Sequence, residues 1–233
     1  MKKSSKVAGV LGGMGPYASA AFYKTILDLT PAKKDWDHIR LIIDSNPHIP
    51  GRSRYHLFGE ESPVAGMIES CRQLERYPVD FIVIPCNSAS FFLPEIQPAI
   101  NIPILNIMEI TVQALARRDG ICGRVVVLGG IITYEKKTYE KLLAGYGCEY
   151  VHHAESMQRK VEALIEQIKI NTDYPIICEG FNEIITEIRE GYEASAVILG
   201  CTELEVFADY DCPLHILDSS RELALRTVEY ACQ

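Results

Sequence analysis

Two short motifs return in the same order after about half the chain, and this repetition limits the possible folds more than any other feature. Val10-Leu11-Gly12-Gly13 recurs as Val127-Leu128-Gly129-Gly130, at an offset of 117. Phe81-Ile82-Val83-Ile84-Pro85-Cys86-Asn87-Ser88 recurs in type as Ala196-Val197-Ile198-Leu199-Gly200-Cys201-Thr202-Glu203, which sets Cys86 and Cys201 115 residues apart. Two different motifs repeated at nearly one spacing point to two half-size units of similar design.

Both motifs sit at the ends of apolar runs. Val7–Leu11, Ile39–Ile43, Phe81–Ile84, Ile104–Leu105, Val125–Leu128, Glu149–Val151, Ala196–Leu199 and Leu214–Leu217 read as strands, most of them continuously apolar. That is the pattern of parallel strands covered on both faces. Between them lie helix-like stretches: Tyr17–Leu29, Val64–Tyr77, Glu109–Arg117, Tyr134–Leu143, Met157–Ile170, Ile176–Glu190 and Ser220–Ala231. Pro16 suits a first helical turn, Gly145 a C-terminal cap and Ser219 the cap of the last helix. The predicted architecture is α/β, with two similar pseudo-symmetric lobes, each a mostly parallel sheet flanked by helices. Residues 1–113 form the first lobe and 114–211 the second. The strand and helix from Leu214 onward are expected to rejoin the first lobe, within a returning segment 212–233. Ligands of open α/β sheets sit beyond the carboxyl ends of the strands, where all four repeated motifs fall. An active site between the lobes is therefore expected.

Composition narrows the partners. Hydrophobic residues make up 48% and charged residues 23%, which excludes a disordered, collagen-like or coiled-coil chain. The formal net charge of −8 repels phosphate backbones, so neither nucleic acid nor an anionic membrane is expected as a partner. An anionic ligand would need a local positive cluster. The basic opening Met1–Lys6 precedes an apolar stretch cut by Gly9, Gly12, Gly13 and Gly15, too interrupted for a signal peptide, and the reading is cytoplasmic. Eight cysteines, at 71, 86, 122, 148, 178, 201, 212 and 232, show neither a C-x-x-C pair nor a zinc template, so no metal is expected. Most cysteines in such a chain are small buried hydrophobes.

Cys86 and Cys201 are the exceptions. Each ends an apolar strand and precedes short polar residues, Asn87-Ser88 and Thr202-Glu203. N–H groups at such a turn favour thiolate and can bind a carboxylate. Pseudo-symmetry predicts two thiols on opposite sides of one cleft. Inverting a stereocentre needs a base on one face and an acid on the other, with the roles exchanged in reverse. Cysteine can hold either state near neutral pH. Neighbouring N–H, amide and hydroxyl groups can stabilise the carbanion charge, and no pyridoxal-phosphate lysine signature is present, so a cofactor-free route is coherent.

Other features read two ways. Gly13-Met14-Gly15-Pro16-Tyr17-Ala18 fits a loose dinucleotide-binding form with Asp44 as a ribose-binding acid, yet the same glycines let a small carboxylate approach the backbone. The paired cysteines favour the carboxylate. Arg52, in the loop Ser45–Arg54, can clamp a carboxylate bidentately or be a solvated arginine. Lys169 suits a helix-end cation, and the six histidines read as structural or exposed.

Together these residues resemble the aspartate/glutamate racemase superfamily, and within it the aspartate racemase branch. The resemblance rests on Gly12–Pro16, Asn46-Pro47 with Ile49-Pro50 and Arg52, Pro85–Ala89 and Gly200–Leu204, which span nearly the whole chain. Glutamate racemases, with an Asp-Ser-Gly opening turn and His after the second Cys-Thr, are less similar. The resemblance implies a homodimeric, pyridoxal-phosphate-independent racemase with no cofactor, acting on a small acidic amino acid to interconvert its L and D forms. Cys86 and Cys201 would be the acid/base pair. It implies substrate-binding roles for Met14, Asn87, Ser88, Thr133 and Thr202, with Arg52 and Lys169 on the distal carboxylate and Lys160 as the rival lysine. Gly51 stands where the family often has Asp, Ser88 where Thr is commoner, Ser90 for a common His and Gly130 for Thr. These departures bear on the choice between aspartate and glutamate. Glutamate racemase, maleate isomerase, malonate decarboxylase and a non-catalytic nucleotide-binding protein are the alternative readings.

Overall fold

The computed structural model describes residues 6–118, 123–170 and 173–233; the opening Met1–Ser5 and Cys122 lie outside them. The chain divides into two compact units, one built from the residues up to Ile110 together with Ser220–Gln233, the other from Thr111–Ser219.

In the first unit the order is β1 (Ala8–Gly12), α1 (Pro16–Leu29), β2 (Leu41–Ser45), α2 (Arg52–Phe58), α3 (Pro63–Leu74), β3 (Phe81–Val83), α4 (Asn87–Ser90), α5 (Leu93–Ile96), β4 (Ile104–Leu105) and α6 (Ile107–Ala116), the last leading into the second unit. Its four strands are parallel in the order β2-β1-β3-β4, with Val10 opposite both Ile43 and Val83, and Val83 opposite Leu105. β1 and β3 are wholly buried, as their unbroken apolar runs require. Pro16 stands in the first turn of α1, as expected. Arg52 does not lie in a loop. Gly51 precedes a short helix there, and Gly59 (φ 65°) ends it in the left-handed region.

The second unit contains β5 (Arg124–Gly129), α7 (Ile131–Glu135), α8 (Glu140–Gly145), β6 (Glu149–Val151), α9 (Glu155–Lys169), α10 (Tyr174–Gly191), β7 (Ala196–Gly200), a 3-10 turn (Thr202–Phe207) and β8 (His215–Asp218). Its sheet is again parallel, in the order β6-β5-β7-β8. The order of the first sheet is thus repeated strand for strand. Phe181 of α10 and Phe207 are buried in its core and stacked with ring centres 4.0 Å apart. Each such ring contributes roughly 2–3 kcal/mol by leaving water.

Three expectations need correction. The strand near Leu214–Leu217 does not rejoin the first lobe. As β8 it pairs with β7, Ile198 opposite Leu217, and fills the place that β4 holds beside β3. Without it the buried strand β7 would keep an unpaired edge. Secondly, the helix expected over Tyr134–Leu143 is two helices, interrupted at Lys137 (φ 45°), and the left-handed residue after α8 is Gly147 rather than Gly145. Thirdly, Ser219 lies within the closing helix α11 (Ser219–Ala231), and its hydroxyl donates to the Leu199 carbonyl at 2.6 Å. Most of α11 groups with the first unit, where Lys6 N–H meets the Ala231 carbonyl and Tyr230 packs edge-on to Phe81 at 4.8 Å. No helix among the described residues is long and apolar enough to cross a membrane.

Candidate active site

In each sheet the chain reverses its winding between the two central strands, β1 and β3 in one, β5 and β7 in the other. The carboxyl ends of such strand pairs open a crevice, because the helices that follow them depart to opposite sides. Cys86 follows β3 and Cys201 follows β7 directly. Gly129 is paired with Gly200, the residue before Cys201. β1 ends at Gly12 and runs into Gly13, and Cys86 lies three residues beyond Val83, the last residue of β3. In both units the first central strand ends in the repeated Val-Leu-Gly and the second is followed by a cysteine.

In the first unit Cys86 caps the N-terminus of α4 with extended backbone (φ −159°, ψ 112°) and is 7% exposed. Its carbonyl accepts from the Ser90 hydroxyl at 3.3 Å, and Asn87 beside it is buried while Ser88 is half-buried. The adjoining glycine turn is tightly built. Gly13 has φ +89°, and a Cβ there would come within 2.4 Å of the Asn46 backbone. Its N–H donates to the Ser19 hydroxyl at 2.8 Å, and that hydroxyl donates to the Gly15 carbonyl. Arg52 reaches back from α2, its Nη2 donating to the Met14 carbonyl at 2.6 Å. Its Nε is buried without a hydrogen-bond partner, and Arg52 forms no ion pair among the described residues. The neighbouring Arg54, by contrast, is tied to Glu60.

The second unit gathers Cys201, Thr202, Thr133 and Lys169. Cys201 caps the 3-10 turn and is half-buried, and its Sγ donates to Glu203 Oε2 at 2.9 Å. Thr133, on α7, is buried, and its Oγ1 has no hydrogen-bond partner among the described residues. A Cβ on Gly129 would meet the Thr133 side chain at 2.8 Å, so glycine there lets that side chain lie against the strand end. Gln158 of α9 fixes the same end by donating to the Gly129 carbonyl at 3.0 Å, while its Oε1 meets His153 Nε2 at 3.0 Å. Burial, only partly opposed by the Gln158 contact, lowers the His153 pKa and favours the neutral ring. Spacing patterns gave no sign of this pair, since only the fold brings Gln158 under β5.

The two rival lysines separate clearly. Lys160 is paired with Glu187 of α10 at 2.8 Å. Lys169 is paired with Glu166 at 2.7 Å but also lies within the electrostatic reach of Glu203 and Cys201. Burial pulls its pKa down; the Glu166 hydrogen bond and the charges of Glu203, Glu166 and Cys201 outweigh this and raise it. Among the described residues no group of His, Cys, Asp and Glu is arranged to hold a metal ion.

Residues 11–225 match the family model for Asp/Glu/hydantoin racemases. This chain belongs to the Asp/Glu/hydantoin racemase family. Racemases are isomerases. The broad-specificity amino-acid racemase RacX of Bacillus subtilis is 32% identical to this family member over 225 residues, covering 94% of this chain and 96% of RacX. The structure of the aspartate racemase of Picrophilus torridus superposes with a TM-score of 0.86 at 28% identity, covering 97% of this chain and 94% of that one. A glutamate racemase from Francisella tularensis shares the fold, with a TM-score of 0.66 at 15% identity over 98% of this chain and 81% of its own.

Proposed function

We propose that this family member interconverts L- and D-aspartate, with glutamate as the neighbouring substrate, without pyridoxal phosphate. The observation that carries the reading is that two sheets of identical strand order each follow their second central strand with a cysteine, Cys86 or Cys201, and end their first in Val-Leu-Gly. In this reading one thiolate removes the Cα proton and the other thiol supplies a proton to the opposite face. Each transfer leaves the donor sulfur charged and the acceptor neutral, and the reverse reaction exchanges the roles. Thr133 Oγ1 and Thr202, with Asn87 and Ser88, hold the α-carboxylate and amino group, and Met14 presents the backbone of its turn. Hydrogen bonds to the carboxylate strengthen as the carbanion forms. Arg52, lacking a carboxylate partner of its own, takes the distal carboxylate together with Lys169. A small acidic amino acid is thereby drawn to a chain of net charge −8. We assign the chain to the cytoplasm and to a homodimer on the same reading.

One observation favours a wider substrate range. Arg52 is already bonded to the Met14 carbonyl and Lys169 to Glu166, so neither cation is wholly given to a distal carboxylate. RacX, the relative described above, is named for broad specificity.

The test is L-aspartate in D₂O with no added cofactor, followed by chiral analysis against a panel of amino acids. D-aspartate carrying deuterium at Cα is expected, and C86S and C201S should each cut turnover about 10³-fold. Full activity in C201S would refute the two-base mechanism.

A further inference from the structure

Glu203 stands two residues beyond Cys201, at the second position of the 3-10 turn that the cysteine caps. Its Oε2 accepts the Cys201 thiol at 2.9 Å. The thiol of Cys86 makes no hydrogen bond among the described residues, so the two strand-end cysteines are not equivalent. We infer that Glu203 is a positioning residue that holds Cys201 as the protonated member of the pair and aims its S–H bond, with Lys169 as the counter-charge. The inference rests on the racemase reading for its catalytic consequence, but its chemical core concerns one thiol and one carboxylate.

A carboxylate that accepts a thiol's hydrogen bond stabilises the thiol and opposes the thiolate by like charge. Left alone, this pairing would block the direction in which Cys201 must act as base. The cation of Lys169 offsets that effect, because it lies within reach of both Cys201 and Glu203 and is itself held by Glu166. The elements packed against the turn complete the electrostatic surroundings. α9 supplies Lys169, Glu166 and Glu162, the turn itself adds Glu205, β7 is Ala-Val-Ile-Leu-Gly and supplies no charge, and β8 carries His215 and Asp218 at its two ends. Glu203 is the acidic group bonded to the sulfur. When Cys201 gives its proton to the substrate carbon, a thiolate is left within the electrostatic reach of Lys169. After the product leaves, Cys86 releases to solvent the proton it took from Cα and Cys201 regains one against Glu203, or the reverse reaction restores both.

The experiment compares wild type, E203Q and E203D by iodoacetamide labelling of the full chain, with each cysteine followed by mass spectrometry. E203Q should raise the labelling rate of Cys201 about tenfold near neutral pH, the effect of one lost neighbouring charge, and leave Cys86 unchanged. E203D should restore slow labelling. In racemisation, E203Q should lower kcat/KM about tenfold for both enantiomers equally, as an equilibrium constant of one demands, and move the optimum to lower pH. A Cys201 labelling rate unaffected by E203Q in a chain that melts like wild type overturns the inference, whether or not the enzyme racemises. Faster Cys201 labelling in a chain that racemises no amino acid supports the pairing and overturns only the racemase reading.

Discussion

Two sulfurs of the first unit show how surroundings decide what a thiol can do. Cys71 is completely buried on α3, and burial, aided by the Glu75 and Asp44 charges, pushes its pKa up to about 12. Cys86 sits instead at a strand end beside amide and hydroxyl groups. Cys71 should therefore resist iodoacetamide at pH 8 while the chain is folded. Its folded pKa is raised above the unfolded value near 9, so its contribution is complete below about pH 9 and is lost as pH climbs toward 12. The unfolding free energy from urea titrations should fall over that window by up to roughly 1.4 kcal/mol per pH unit, and C71A should flatten the decline. Arg52 offers the matching test of recognition. With its Nε unsatisfied, R52A should raise KM for aspartate about 10–100-fold, the cost of losing a charge-assisted hydrogen bond. KM for a neutral amino acid should move much less.

At the scale of elements, the parallel strands were readable because a strand covered on both faces needs apolar residues at every position. Helix boundaries were less so, and the reasons are tertiary. Glu135-Lys136-Lys137-Thr138 contains neither glycine nor proline, yet the helix breaks there. The break accompanies Tyr139, which is wholly buried and hydrogen-bonded to Thr111 and Ser219. Ser219 is likewise spent on Leu199 instead of a cap, a partner twenty residues away that no local pattern announces. The cysteines and the glycine turn were legible as strand-end residues, and Arg52 as a cation beyond β2, although the helix that carries it was not. Gln158 was not, because it acts by reaching from α9 to the Gly129 carbonyl. Replacing it with leucine leaves that carbonyl and His153 Nε2 without their partner, at a cost of about 2–3 kcal/mol. Thermal melting should register the loss, and turnover should fall with the position of Thr133.

For the whole molecule, the repeat implies two units but does not say where the last strand goes. β8 completes the second sheet, and α11 packs with the first unit against Phe81 and Lys6. The second unit is thus one continuous stretch, whereas the first needs both ends of the chain. Expressed separately, residues 111–219 should melt cooperatively by circular dichroism. Residues 1–110 should not, until a peptide covering 219–233 is supplied.

The placement of α11 also sets an order of assembly during synthesis. The half translated first is the half finished last, since its sheet waits for a helix encoded after every strand of its twin. A nascent chain therefore carries an uncovered Phe81 face past the ribosome while the younger half is already closed, and the stretch most in need of shielding by chaperones is the older one.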